Sequence, residues 1–128
     1  MTSEELVSYW KKSAEDALDT AQELYKPGKY HHCLFFLHLA LEKILKAAYV
    51  KKHHETPPPI HDLVRLTDHT SISADQKRDQ ELIEISSFNI SARYDDYKQQ
   101  FYRKATAEYA KKWLEIGETI FRETENSL

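Results

Sequence analysis

A chain of 128 residues is long enough to bury a hydrophobic core without disulfides or metal ions, and its length predicts one domain over residues 1–128. The net charge of −3 argues against a general nucleic-acid-binding protein, because such proteins usually carry an excess of basic residues. With only two glycines and four prolines, the chain has too few turn residues for many short strands, which favours long helices.

The first predicted helix runs to about Tyr25. Thr2-x-x-Glu5 fits a capping box, and apolar residues recur after it at helical spacing. The Pro27-Gly28 pair is typical of a turn and predicts where the first helix ends.

A second helix is predicted from about Lys29 to His53, with an apolar seam from Tyr30 to Ala48. Further apolar residues of this helix lie outside the seam, namely Phe36, Leu39, Ala40 and Val50. A helix that is apolar on more than one side must be covered on more than one side. We therefore expect either a central helix of the bundle or a helix that also contacts a second subunit.

The three adjacent prolines from Pro57 to Pro59 predict an extended loop over residues 55–60. A short helix is expected over residues 61–69. After a break, Ser73-x-x-Gln76 fits the cap of a further helix.

Residues 89–96 fit either a loop or the start of the last helix. The last helix has an apolar stripe from Phe101 to Ile120, and the polar tail from Glu123 is expected to fray. The predicted fold is thus all-α, an antiparallel up-down helical bundle of about four long helices plus a short helix.

Cys33 is the only cysteine and lies in an apolar run, which indicates a small core residue in a protein of a reducing compartment. The N-terminal residues lack an apolar signal core, and no apolar stretch approaches the roughly 18 residues that a membrane helix needs. We therefore predict a cytoplasmic protein without membrane contact.

Charge is distributed unevenly along the chain. Residues 1–25 carry six carboxylates and two lysines, whereas residues 26–54 carry six lysines and Glu42 as the only carboxylate. The basic second helix fits a small anion or an acidic partner surface. Alternatively, it pairs with the acidic first helix.

Several residues on this frame resemble the HEPN family, especially its small stand-alone bacterial and archaeal members. The most specific element is Ala-x-Glu-Lys-x-x-Lys-Ala over residues 40–47, combined with His61 after the proline loop and Arg93-Tyr94 before the last helix. The resemblance covers nearly the whole chain. It implies an antiparallel helical bundle that usually forms a homodimer.

The resemblance also implies a choice of functions, because the family includes ribonuclease toxins, partners of nucleotidyltransferases and proteins inferred to bind nucleotides. Its ribonucleases carry an arginine followed after four to six residues by a histidine. Here the last histidine is His69, and Arg65 precedes it with three residues between them. Arg93 is followed by Tyr94-Asp95-Asp96, where many relatives have Tyr-Pro-Asp. We therefore expect no cleavage of single-stranded RNA.

Lys43 and Lys46 share a helical face and could receive phosphate oxygens. The alternative is a solvated face on which Glu42 and Lys46 form an ordinary pair one helical turn apart.

Arg93 offers a planar cation, and Tyr94 and Tyr97 offer aromatic rings on which a base can stack. The alternative is that the tyrosines pack between helices and that Arg93 pairs with Asp95, Asp96 or a helix-end carbonyl. His61 could contact a ligand, or cap a helix or bond to a loop carbonyl.

We expect no cofactor and no metal ion, because the chain has no HExxH motif and adjacent histidines on a helix point about 100° apart. The leading hypothesis is a dimeric HEPN-like module that binds a nucleotide or phosphorylated ligand, with a nucleotidyltransferase as a candidate partner. The other hypotheses are a divergent ribonuclease that uses Arg93 with a distant histidine, and a purely structural, protein-interaction dimer.

Overall fold

The computed structural model describes the backbone of residues 1–128 and every side chain except those of Ala92 and Asp95. The described backbone contains no strand. Its six helices are Ser3–Tyr25 (α1), Tyr30–His53 (α2), Leu63–Asp68 (α3), Gln76–Arg93 (α4), Asp95–Lys104 (α5) and Ala107–Asn126 (α6). The predicted all-α fold is confirmed, with α1, α2, α4 and α6 as its four long helices.

The antiparallel hairpin of α1 and α2 follows from its turn. Gly28 has a φ of +81°, a left-handed conformation that costs glycine little, and its amide donates to the Tyr25 carbonyl at 3.1 Å. At the other end of α1, the Thr2 hydroxyl accepts from the Glu5 amide at 3.1 Å. The predicted cap and the predicted turn are both confirmed.

The α2 helix is central and is contacted by each of the other five helices. Gly117 of α6 permits one of these contacts, because a Cβ atom there would lie 2.5 Å from Leu37 Cδ1. The same chain fully buries Ala40 and Val50 and packs Phe36 and Leu39 partly into the core. The idea that these residues need cover from a second subunit is therefore wrong for Ala40 and Val50.

The cap of α4 differs from the predicted one. Asp75, and not Ser73, accepts a hydrogen bond from the Arg78 amide, at 2.8 Å. The helix begins at Gln76, so Asp75 directly precedes it, and a carboxylate there also interacts favourably with the helix dipole.

The predicted last helix is in fact two helices. α4 continues to Arg93, Tyr94 adopts an extended conformation, and α5 follows as a separate helix. Thr106 then caps α6 by accepting from the Tyr109 amide. Phe101 and Ala105 therefore precede α6, although both are buried as the apolar stripe predicts.

The predicted fraying from Glu123 is also wrong, because α6 extends to Asn126. Thr124 is buried, and its hydroxyl donates to the Ile120 carbonyl at 2.8 Å. No helix among the described residues is long and apolar enough to cross a membrane.

Candidate functional site

A surface cavity of about 430 Å³ lies between the loop that follows the proline stretch and the C-terminal half of α4. It brings together three of the six residues singled out from the sequence, His61, Arg93 and Tyr94. The cavity is lined by His61, Asp62, Ser86, Asn89, Ile90, Arg93 and Tyr94.

Hydrogen bonds fix the start of α3 and join it to α4. Asp62 caps α3 by accepting from the amides of Val64 and Arg65, and the Leu63 amide donates to the Ser86 hydroxyl at 3.0 Å. Since the bond from Leu63 to Ser86 joins the start of α3 to α4, the two walls of the cavity are held together.

Arg93 is exposed at the end of α4 and is oriented by its own helix. Its Nε donates to Oδ1 of Asn89 at 2.8 Å, and Asn89 is buried. This bond uses one of the five N–H donors of the guanidinium group. Arg93 is therefore directed by a neighbour one turn earlier, and not by the helix-end carbonyl considered from the sequence.

His61 is positioned by α2. Its Nδ1 lies 2.9 Å from Oε1 of Glu42, while half of its side chain remains exposed. Its carbonyl oxygen lies 3.0 Å from Nε2 of the fully buried His38. The side chain thus neither caps α3, which Asp62 does, nor bonds to a loop carbonyl.

Glu42 and Lys46 form a buried ion pair directly behind His61. Their Oε2 and Nζ atoms are 2.9 Å apart, and each residue is 6% exposed. The Lys46 ammonium also lies 5.5 Å from the centroid of the Trp10 ring. Glu42 and Lys46 therefore form the ion pair predicted from the sequence, but α1 covers the pair and solvent does not surround it.

The ion pair determines the charge of Glu42. Burial alone would raise the pKa of this carboxyl, but hydrogen bonds from Lys46 and His61 outweigh burial and lower its pKa below the ordinary value. Glu42 is therefore ionised at neutral pH.

The remaining two predicted residues do not line the cavity. The Lys43 ammonium donates to the Ser13 hydroxyl of α1 at 2.8 Å, and Tyr97 is 53% exposed in the first turn of α5. Among the described side chains, no ion pair joins α1 to α2, so the two helices are not held by the direct charge pairing considered from the sequence.

Comparison with known proteins gives a family that agrees with this architecture. The model of the HEPN domain matches residues 7–127. The chain belongs to the HEPN family. A search of the curated proteins found no match.

One solved structure resembles this HEPN domain over nearly its whole length, the crystal structure of TT1696 from Thermus thermophilus. The TM-score is 0.82 at 19% sequence identity, and the alignment covers 95% of this chain and 98% of that chain. At that identity the likeness establishes the shared fold.

Three residues in or behind this cavity were not predicted as site residues, namely Glu42, His38 and Asn89. Glu42 has a signal in the sequence, because it is the only carboxylate within the basic segment of residues 26–54. His38 and Asn89 have no comparable signal. Among the described side chains, no group of three or more histidines, cysteines, aspartates or glutamates could hold a metal ion.

His38 makes the stability of this HEPN domain depend on pH. Burial lowers its pKa below the ordinary value, although the bond to the His61 carbonyl opposes this shift. Below about pH 6.5 the unfolded chain therefore binds a proton that the folded chain does not bind. Glu42, whose folded pKa is lowered, stabilises the fold above about pH 4.5, and this contribution is lost as the pH falls further.

We expect the free energy of unfolding to decrease as the pH falls from 7 to 5, measured by urea denaturation at constant ionic strength. His38→Gln should flatten this decrease, because the substituted side chain does not titrate. His54→Gln, at an exposed position, is the matched control and should leave the decrease as in the wild type. Equal pH dependence of wild type and His38→Gln would contradict the assignment to His38.

Proposed function

We propose that this HEPN domain binds a nucleotide or another phosphorylated ligand in the cavity beside His61 and Arg93. The observation that carries the proposal is that a guanidinium, an imidazole and a phenol ring line one cavity. Its volume of about 430 Å³ falls within the range common for small-molecule sites.

Each lining group has a distinct role in the proposal. Arg93 donates charge-assisted hydrogen bonds to phosphate oxygens, and His61 contacts the same phosphate. Tyr94 is 59% exposed, so its ring offers a surface on which a base can stack. Lys46 acts behind the cavity, because its ammonium is already paired with Glu42.

Calorimetric titration with ADP and with adenosine tests this function. We expect ADP to bind at least about tenfold more tightly than adenosine, because a hydrogen bond to a charged group contributes roughly 1.5–3 kcal/mol. Equal affinity for the two compounds, or no binding of ADP at millimolar concentration, would contradict the proposal.

A divergent ribonuclease is the second candidate, and the placement of His61 beside Arg93 favours it. The two residues are distant in the sequence, yet they line one cavity. There His61 offers a general acid or base, and Arg93 offers a cation that can bind the scissile phosphate. The family spacing of arginine and histidine is absent, so we retain binding as the first proposal. Cleavage of single-stranded RNA that persists through purification and disappears in Arg93→Ala would replace it.

The proposed assembly is a homodimer, and the proposed protein partner is a nucleotidyltransferase. Membership of the HEPN family supports both proposals.

Exposed apolar residues on α4 favour a surface there for contact with another protein. Ile83 and Ile90 are 61% and 51% exposed, and their spacing of seven residues places them on one face of the helix.

We expect the mass of a dimer in analytical ultracentrifugation and its dissociation by Ile83→Asp, which should melt like the wild-type monomer at high dilution. Phe36→Asp is the contrasting variant. Because Phe36 packs partly into its own core, this change should lower the melting temperature. A monomer at about 200 µM, a concentration at which weak dimers with Kd near 10 µM would be populated, would contradict the proposed dimer.

A further inference from the structure

The carboxylate of Glu42 is held from two sides. Its Oε2 contacts the Lys46 ammonium at 2.9 Å, and its Oε1 contacts Nδ1 of His61 at 2.9 Å. Glu42 and Lys46 are each 6% exposed, and the Trp10 ring lies against the ammonium. The position of this carboxylate is therefore set by packing as well as by charge.

This contact decides which ring nitrogen of His61 carries the hydrogen of the neutral imidazole and which one is left to take up a further proton. An ionised carboxylate only accepts hydrogen bonds, so Nδ1 of His61 must carry the hydrogen that it donates to Glu42. The other ring nitrogen, Nε2, lies across the ring from Glu42. It belongs to a side chain that is half exposed and lines the cavity with Arg93.

We propose that Glu42 is a positioning residue that couples anion binding in this cavity to the uptake of one proton by Nε2 of His61. The proton comes from solvent and forms an N–H bond with the Nε2 lone pair, and the new N–H donates to the anion beside Arg93. The inference rests on the proposed function and adds its regulation by pH.

Lys46 makes this arrangement compatible with a negatively charged ligand. An ionised carboxylate so close to the cavity would repel an anion, but the paired ammonium offsets that charge at 2.9 Å. The pair thus leaves Glu42 able to orient His61 without opposing the ligand.

The other charged or titratable groups around His61 do not supply the same coupling. Lysine, arginine, aspartate and tyrosine side chains ordinarily keep one charge state between pH 5.5 and 8. His38 is fully buried and donates through Nε2 to the His61 carbonyl, and burial lowers its pKa. The groups that face His61 are Glu42, His38 and Lys46 of α2, Asp62 of the loop, and Arg93 and Tyr94 of α4.

Sulfate is a suitable probe because it does not titrate between pH 5.5 and 8.5. Its affinity for the full chain can be measured by NMR titration at constant ionic strength. We expect sulfate to bind more tightly at pH 5.5 than at pH 8.5, as uptake of one proton on binding requires. The ¹⁵N shifts of His61 should place the hydrogen of the neutral ring on Nδ1.

Three variants separate the coupling from a structural effect. Glu42→Gln/Lys46→Met removes both charges together and should weaken the dependence of sulfate affinity on pH, because the carboxylate that accepts from Nδ1 is lost. His61→Gln should make sulfate affinity independent of pH, whereas His38→Gln should keep the wild-type slope. If Glu42→Gln/Lys46→Met or His61→Gln weakened sulfate affinity by the same factor at every pH, the substituted residues would have a structural role only.

Sulfate titrations can separate the proton coupling from the proposed anion site. Sulfate binding of equal strength at pH 5.5 and 8.5, or a neutral His61 with its hydrogen on Nε2, would overturn the proton coupling alone. Absence of sulfate binding at every pH would overturn the proposed anion site and the coupling with it.

Discussion

Glu42→Leu is expected to destabilise the fold by about 3–5 kcal/mol, because the substitution leaves the Lys46 ammonium buried without its partner. The loss should appear as a lower midpoint of urea unfolding. Removing the lysine as well, in Glu42→Leu/Lys46→Met, should restore most of the stability, since apolar residues of similar volume often replace a buried ion pair at little cost.

An exposed pair on α1 provides the matched control. Glu23 and Lys26 are 3.1 Å apart, but their side chains are 72% and 71% exposed. Solvent screens such a pair, so Glu23→Leu should change stability little. Equal losses for Glu42→Leu and Glu23→Leu would show that the buried pair contributes no more to stability than an exposed pair does.

Arg93→Gln is expected to weaken ADP binding by about 10- to 100-fold, which corresponds to the loss of one or two charge-assisted hydrogen bonds. Because Arg93 is exposed, the variant should keep the helical fold, and the lost hydrogen bond to Asn89 should lower its melting temperature slightly. Calorimetric titration measures the affinity, and circular dichroism establishes that the helices are retained.

Arg103→Gln is the control for a general effect of charge. Arg103 is also exposed and lines a different cavity, along α5, with Lys98, Gln99 and Tyr102. Its replacement should leave ADP affinity unchanged. A larger loss in Arg103→Gln than in Arg93→Gln would place the ligand on α5.

Local signals predicted most of the helix boundaries. The Thr2 cap and the Pro27-Gly28 turn each depend on residues within a few positions, so spacing alone was enough. The break between α5 and α6 was missed because apolar residues continue at helical spacing from Phe101 through α6. The non-helical backbone conformation at Ala105 and the Thr106 cap divide that stripe into two helices.

The candidate site was predicted in part. The resemblance to the family pointed to His61 and Arg93, and the fold brings them to one cavity. The role of Glu42 was missed because it depends on Lys46, Trp10 and His61 meeting from one helix, another helix and a loop. The sequence contains the spacing of Glu42 and Lys46 but not the α1 surface that buries them.

A ¹H–¹⁵N NMR titration of the full chain with ADP would locate the bound ligand residue by residue. Binding in the proposed cavity predicts saturable shift changes that concentrate at His61, Ser86, Asn89, Arg93 and Tyr94, with smaller changes along α5. Saturable changes confined to Lys98, Gln99, Tyr102 and Arg103, or no saturable change at millimolar ADP, would contradict the assignment of ligand binding to this cavity.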